Sequence, residues 1–482
     1  MSPRSLFLRE SLLVFSDVHL GSDLSDRAPN APKRTLQIDR DLLELVAHYR
    51  RTPPKGPRWR MVVAGDFIDF IGMAIAAGDD QLETAPNEEE QEHGLGNASD
   101  HSRLKLRRVH ARHQEFFAEL AGFVADGHAL TIVHGNHDIE LHWDAVKEDL
   151  RQILVEEASK AAAVAGKAFD EAGFRGRIEY EPWFFYRRGV VYVEHGHQYD
   201  PYCATEYVMA PLSPLDPRRI ARGVTEVLLR FVVRPTRGMS EQGHEKTGML
   251  HYVAFALKLG VMGQLRLAGR FASAVFELFR LRRAHLSEAS QRMRAEHEKR
   301  VALLAEATRI GHDRLRALLR LQAPPITQSV RGILASVLLD RLGLALFATI
   351  ALVVFAIVGA FHGHMLFGVL GVLVAWAFFH RHLVKSRKVD AADELAGRAL
   401  ELARLFPAAF VVMGHTHTPA EIPNENSTYI NLGSWAEEEP AEDCAVHRAA
   451  RTHLVIHVEG DRPEAQLLTW ESGEGPRRFI KI

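Results

Sequence analysis

Cysteine is nearly absent. The chain of 482 residues holds two, Cys203 and Cys444. Two thiols cannot build a disulfide framework and cannot furnish a thiolate-rich metal centre, so a reducing compartment is expected. Net charge is also small, at −2, which excludes a chain that is a polyelectrolyte throughout. A secretory leader is not expected, because the first apolar stretch is broken by Arg9 and Glu10 and the next run carries Asp17. The remaining composition, 47% apolar and 25% charged, is that of a globular protein. Its length exceeds one typical core and implies two units.

What is present is a repeated pattern. Val62-Val63-Ala64-Gly65-Asp66-Phe67-Ile68-Asp69 is an apolar run that ends in a glycine and then a carboxylate. A buried strand delivers a polar side chain to the rim of a sheet in this way. One such Gly-Asp is usually a turn, but the pattern recurs. Leu12–Ser16 ends at Asp17 and His19, and Ala129–His134 at Gly135-Asn136-His137-Asp138. Val190–Glu194 ends at His195-Gly196-His197, and Ala409–Met413 at Gly414-His415-Thr416-His417. In open α/β sheets ligands bind beyond the carboxyl ends of the strands. Five coincidences are too many for turn residues and satisfied core histidines.

Between these runs the chain alternates. Asp39–Arg50 reads as an amphipathic helix with Leu42, Leu43, Leu45 and Val46 on its apolar stripe, and Arg51–Arg58 as a loop. Residues 78–101, with Glu88-Glu89-Glu90, read as a mobile, solvated acidic loop. Arg103–Asp126 reads as one helix with Phe116, Phe117, Leu120 and Phe123 inward and His110 and His113 as surface histidines. The class is α/β. Residues 436–445 read as an acidic loop, and 452–458 and 465–470 as strands.

The strand ends collect carboxylate, imidazole and amide oxygen without thiolate, a set that suits manganese, iron, zinc or nickel. Asp17, His19, Asp66, Asn136, His195, His415 and His417 make seven candidate ligands, too many for one tetrahedral ion. Two cations sharing Asp66 use them all. Two metals about 3.5–4 Å apart can clamp the attacking and leaving oxygens of an in-line displacement at phosphorus.

Taken as a set, Asp17-x-His19, Gly65-Asp66-x-x-Asp69, Gly135-Asn136-His137-Asp138, His195 beside Gly196, and Gly414-His415-x-His417 resemble, in order and in type, the motifs of the calcineurin-like metallophosphoesterases. The resemblance covers roughly residues 10–205 and 405–440. It implies a β-sandwich flanked by helices and attack by a metal-bridging hydroxide. It implies one metal on Asp17, His19, Asp66 and His417, and a second on Asp66, Asn136, His195 and His415. It gives His137 the task of stabilising phosphoryl oxygens or protonating the leaving group, with Asp69 orienting it. Phe70 and Ile71 stand where the Ser/Thr phosphatase branch has Arg-Gly, and neither Asp69 nor Phe70 supplies the tyrosine of purple acid phosphatases. His195–Pro201 and Tyr429–Trp435 are similar to the bacterial branch containing UDP-2,3-diacylglucosamine hydrolases, which carry arginine in place of His137. In that branch a smaller helical lid after the counterpart of His195 covers acyl chains.

About two hundred residues separate His195 from His415. Residues 218–341 hold 23 Lys and Arg against 10 Asp and Glu, an excess that a membrane surface or nucleic acid would attract. Val224–Val233, Leu250–Phe279 and Ala284–Leu321 read as helices. Leu342–Phe379 has no Asp, Glu, Lys or Arg, and each arm about His362-Gly363-His364 approaches the ~20 residues of a bilayer crossing. Arg341 precedes the pair and Arg381, Lys385, Arg387 and Lys388 follow it, the positive-inside pattern of a hairpin with both ends in the cytoplasm. A buried helical pair is the alternative. Ala391–Phe406 reads as a helix leading to the His415 strand.

These readings divide the chain into a catalytic domain in two parts, 1–205 and 401–482, around a helical insertion, 206–400, with a transmembrane hairpin at 342–384. The expected activity is a two-metal phosphoesterase, with manganese foremost, acting on a lipid or lipid-linked phosphoester or pyrophosphate. It would sit on a bacterial-type cytoplasmic membrane with the catalytic domain on the cytoplasmic side. No nucleic-acid partner is favoured. The alternatives are a nuclease or cyclic-nucleotide phosphodiesterase, and a non-catalytic membrane scaffold.

Overall fold

A computed structural model describes residues 9–26, 36–239, 255, 258–337, 339–362, 365–385, 390–436, 451–459 and 462–480. The strands are β1 (Ser11–Phe15), β2 (Trp59–Ala64), β3 (Ala129–Val133), β4 (Ile178–Glu181), β5 (Phe184–Arg187), β6 (Val191–Glu194), β7 (Phe410–Met413), β8 (Ala420–Pro423), β9 (Thr428–Asn431), β10 (Thr452–Glu459), β11 (Arg462–Glu471) and β12 (Gly475–Arg478). They form two mixed sheets, ordered β12-β11-β10-β1-β2-β3-β4 and β5-β6-β7-β9-β8. β1 to β4 run parallel, as do β6, β7 and β9. Buried parallel strands have apolar neighbours on both faces, which is why β1, β2 and β3 read as mainly apolar runs, with Ser11, Arg60 and Thr131 as their polar members.

The faces sort into layers. Leu12, Val14, Val62 and Val133 of the first sheet share one core with Val191, Val193, Val412 and Ile430 of the second, so the sheets pack face to face. Helices α1 (Leu36–Arg51), α2 (Glu88–His93), α3 (Ser99–Arg112), α4 (Gln114–Ala125) and α5 (Asp144–Val164) precede β4. Leu42 and Leu45 of α1, Phe117 and Leu120 of α4, and Leu150 and Leu154 of α5 cover the outer face of the first sheet. Opposite the carboxyl ends of the strands, buried Glu10 joins the sheets. Its carboxylate accepts from Arg60 Nε at 2.7 Å and Arg187 Nη2 at 3.1 Å, and its carbonyl accepts from Arg187 Nη1 at 2.8 Å.

Between β6 and β7 the described chain is mainly helical. Val224–Leu228 (α6) continues into a π-helical turn, Leu229–Val233. Then follow α7 (Gly260–His285), α8 (Glu288–Thr308), α9 (His312–Leu321), α10 (Val330–Ser336), α11 (Leu339–His362), α12 (Met365–Lys385) and α13 (Ala391–Leu405). Val301 of α8, Leu315 and Leu318 of α9, and Leu395 and Leu402 of α13 cover the outer face of the second sheet.

Several expectations are corrected. Arg103–Asp126 is two helices, broken at His113. His113 is buried and its Nδ1 lies 3.3 Å from Asp39, while part-buried His110 contacts Glu157 at 3.1 Å, so neither is a plain surface histidine. Ala284–Leu321 is broken too, where Arg309 takes a left-handed φ of 57° before Gly311. The acidic stretch 78–101 is not a solvated loop. Asn87 and Glu90 form a capping box that starts α2. Glu89 accepts from Arg230 Nε at 2.8 Å and lies 2.7 Å from Arg222 Nη2, and Glu90 accepts from Arg219 Nη2 at 2.7 Å. Two of the three glutamates, Glu89 and Glu90, are neutralised by arginines from beyond β6. Most of the acidic stretch expected at 436–445, and the start of the helix expected at Leu250–Phe279, lie outside the described residues.

α11 and α12 pack against each other and show their apolar side chains outward, with Phe347 72% and Phe378 68% exposed. Leu366–Leu383 of α12 is long and apolar enough to cross a membrane, and Gly343–Val358 of α11 is a shorter apolar stretch.

Candidate metal centre

Each ligand expected from the sequence lies just past a strand. Asp17 and His19 follow β1, Asp66 follows β2, Asn136 follows β3, His195 follows β6, and His415 and His417 follow β7. The structure brings all seven to one rim. His417 Nε2 lies 3.2 Å from Asp17 Oδ1, and His195 Nε2 lies 3.0 Å from Asn136 Oδ1. One oxygen, Asp66 Oδ2, stands between two imidazoles, 3.5 Å from His19 Nε2 and 3.2 Å from His195 Nε2. His415 donates its backbone N–H to the Asp17 carboxylate, and its ring packs edge-on to His195 with centroids 5.3 Å apart.

The backbone is bent to make this possible. Asp17, His19, Asp66, His415 and His417 all hold φ between 50° and 70°, a region that non-glycine residues avoid at about 1–3 kcal/mol each. The strands must turn at once to aim successive side chains into one hollow. Two glycines let the loops approach. A Cβ on Gly135 would sit 2.1 Å from Asp66 Oδ1, and one on Gly65, whose φ is 86°, would sit 2.5 Å from His195 Nδ1. Buried Asp138 ties two of the loops together, accepting from Gly135 N at 2.6 Å and Phe67 N at 2.8 Å.

The electrostatics are those of a cation site. Burial raises Asp66 and Asp69 more than any single neighbour lowers them, but His195, His137 and His19 together for Asp66, and His137 and His19 together for Asp69, outweigh it and hold both well below the usual carboxylate range. Burial would lower the His195 imidazolium, but the Asp66 and Asp17 carboxylates lift it to about 9. The field that favours a proton there would equally draw a divalent cation. Buried His19 Nε2 makes no hydrogen bond among the described residues, while Asp66 Oδ2 at 3.5 Å and Asp17 Oδ1 at 3.9 Å face it. Three-residue groups such as Asp17, His19 and His417, or Asp17, Asp66 and His195, could each hold a metal ion.

His137 stands apart. Its Nδ1 lies 2.7 Å from Asp69 Oδ1, and its backbone N–H donates to Asp66 Oδ1 at 2.8 Å. Asp69 is fixed in turn by the Gly72 N–H at 2.7 Å. The His137 ring lies edge-on to His19, with centroids 4.6 Å apart.

Two residues of this rim had no role in the sequence reading. Asp138 closes the Gly-Asn-His-Asp run, and its use of both carboxylate oxygens on backbone N–H groups leaves no trace in spacing. Asp200 lies 3.1 Å from His415 Nε2, on a turn after His197–Tyr199 rather than at a strand end. Its signals were the Asp-Pro pair at 200–201 and its place in the His195–Pro201 segment, neither of which gave it a role. No protein-family model matches the chain, and no curated protein matches it.

Proposed function

We propose that this chain is a dinuclear-metal phosphoesterase that cleaves a phosphoester or pyrophosphate bond of a lipid or lipid-linked substrate. The observation that carries the proposal is Asp66 Oδ2, set between His19 Nε2 at 3.5 Å and His195 Nε2 at 3.2 Å. One oxygen facing two imidazoles suits a ligand shared by two ions. Asp17, His19, Asp66 and His417 would hold one, and Asp66, Asn136, His195 and His415 the other. Manganese suits this oxygen and imidazole set, as do iron, zinc and nickel. When bound, the ions would supply Lewis-acid stabilisation of phosphoryl oxygens and a nucleophile at neutral pH.

The chain's own residues do the rest. Asp69 accepts from His137 Nδ1 and so turns Nε2 outward; with both ring nitrogens protonated, Nε2 can donate to a phosphoryl or leaving oxygen. Gly65 and Gly135 let their loops close on His195 and Asp66, which keeps these candidate ligands in one hollow. The lipid reading is supported by α11 and α12, whose apolar side chains face outward, and by the basic excess of 218–341. As a hairpin through a cytoplasmic membrane, α11 and α12 would bring the metal centre to headgroup phosphates, with about 1 kcal/mol from each basic residue near anionic lipid.

The test is metal-supplemented hydrolysis by full-length protein across glycerophospholipids, UDP-linked lipids, cyclic nucleotides and DNA. Turnover of a lipid substrate is expected. Turnover of only cyclic nucleotides or DNA would replace the substrate class, and no turnover with both ions bound would favour a membrane scaffold. Fractionation reads the hairpin separately. The full-length protein should stay in the membrane pellet through a carbonate wash, and recovery in the soluble fraction would make α11 and α12 a packed pair.

A further inference from the structure

We infer that Asp200 is a positioning residue that holds His415 with its Nδ1 turned toward the metal centre. The inference rests on the two-metal reading and adds a carboxylate from outside the seven ligands.

The geometry is specific. His415 Nε2 lies 3.1 Å from Asp200 Oδ2. Asp200 is 4% exposed, and its other oxygen accepts the Tyr202 backbone N–H at 2.9 Å. The carboxylate is therefore fixed at one oxygen by its own turn and aimed by the other at a single imidazole. An ionised carboxylate only accepts, so the proton on that line belongs to His415 Nε2. A neutral imidazole then has its lone pair on Nδ1, and only an unprotonated nitrogen can bind a metal. The main chain of His415 is held as well, through its N–H on Asp17, and its ring is edge-on to His195. Asp200 thus occupies the Nε2 side of the ring and leaves Nδ1 as the nitrogen for a metal. Carboxylates paired with ligating histidines set tautomer and ring orientation in this way.

The turn that carries Asp200 is itself braced. Cys203 N and Ala204 N donate to Asp200 O at 3.0 and 2.8 Å. Ala323 N donates to Gln198 O at 2.8 Å and Ile326 N to Pro201 O at 3.0 Å, so the segment just before α10 grips the turn on both sides of Asp200. A competing arrangement is open to the same atoms. Asp200, Cys203 and His415 lie close enough to hold a cation among themselves, but His415 would then have to bind it through Nε2. The two arrangements differ in which nitrogen carries the proton.

The experiment uses full-length protein and two readouts besides activity. In zinc-loaded, 15N-histidine-labelled protein, with His415→Gln assigning the signal, His415 should carry its proton on Nε2 and bind through Nδ1. In chelator competition, Asp200→Ala should weaken one of two ions by about 10- to 100-fold and leave the other unchanged. Asp200→Asn keeps an acceptor oxygen and the shape of the turn, so it should fold and lose less than Asp200→Ala. The inference is overturned if His415 binds through Nε2, or if folded Asp200→Ala and Asp200→Asn both hold two ions as tightly as the wild type. Fewer than two ions in the wild type would instead overturn the two-metal reading, and this inference with it.

Discussion

The sheets and the helical stretch between β6 and β7 place their apolar and charged groups in opposite ways. In the sheets, Leu12, Val14, Val62 and Ile430 are sealed between the layers, and the carboxylates Asp17 and Asp66 gather at one strained rim. In the helical stretch, Phe347 and Phe378 face outward, while Arg222 and Arg230 are drawn inward onto Glu89. Among the described residues from 206 to 400, Arg309 is the one non-glycine with a left-handed φ, against five at the rim. The contrast teaches where each region spends its stability. The rim holds costly backbone geometry for the sake of aimed ligands. The helical stretch is relaxed in its backbone and uses paired charge to fasten itself to α2.

If that contrast is sound, damage to the rim should abolish chemistry, and damage to the charged junction should lower stability alone. The largest effect is expected from Asp66→Ala. It should remove both metals and nearly all activity, more than about 10⁴-fold in rate, because two ions and the electrostatic help they give depend on one residue. Metal analysis decides it, and an active protein with one ion per chain would refute the shared-ligand reading.

Next is His137→Ala, which should keep both ions yet lose about 10²–10⁴ in rate, the usual size of acid–base or electrostatic help. Loss of metal in that variant would place His137 among the ligands and blur the line between rim and dyad.

Arg230→Ala probes the other region. Arg230 donates to Glu89 and to the carbonyls of Gly94 and Leu95, so its removal leaves a buried carboxylate short of a partner. About 3 kcal/mol of stability should go, read by denaturant unfolding, with metal content unchanged. Loss of metal as well would mean that the junction and the rim are one unit.

The smallest effect is a pH dependence at the same junction. Burial alone would raise Glu89, but Arg230 and Arg222 outweigh it and bring its carboxyl down from 4.5 to about 2. A carboxyl lowered by folding stabilises the protein fully above its unfolded value and loses that contribution as pH falls through its folded value. Wild type should therefore exceed Glu89→Gln by about 2 kcal/mol above about pH 4.5. The gap should close as pH falls toward 2, and a gap independent of pH would contradict the pairing.

The same division explains what could be read from sequence. β1, β2, β3, β6 and β7 were legible because buried parallel strands leave mainly apolar runs, and because Asp17, Asp66, Asn136, His195 and His415 each follow one within three residues. The order of strands in two sheets left no such mark. Glu89 and Glu90 looked solvated because their partners, Arg219, Arg222 and Arg230, are more than a hundred residues away in the chain. The break at His113 was hidden because apolar spacing continues through it from Val109 to Phe117. Asp200 was missed since its use depends on a turn, not on a strand end.

The pairing of β1 with β10 sets the order in which a working protein can come off the ribosome. Leu12 lies opposite Ile456, and Asp17 meets His417 across the same rim. Chains are made from the amino end, and contacts so distant in sequence form only after everything between them has emerged. The α11–α12 pair is therefore synthesised before β1 gains its antiparallel neighbour and before His415 and His417 exist. A product of premature termination before β7 would carry the α11–α12 pair but neither His415 nor His417.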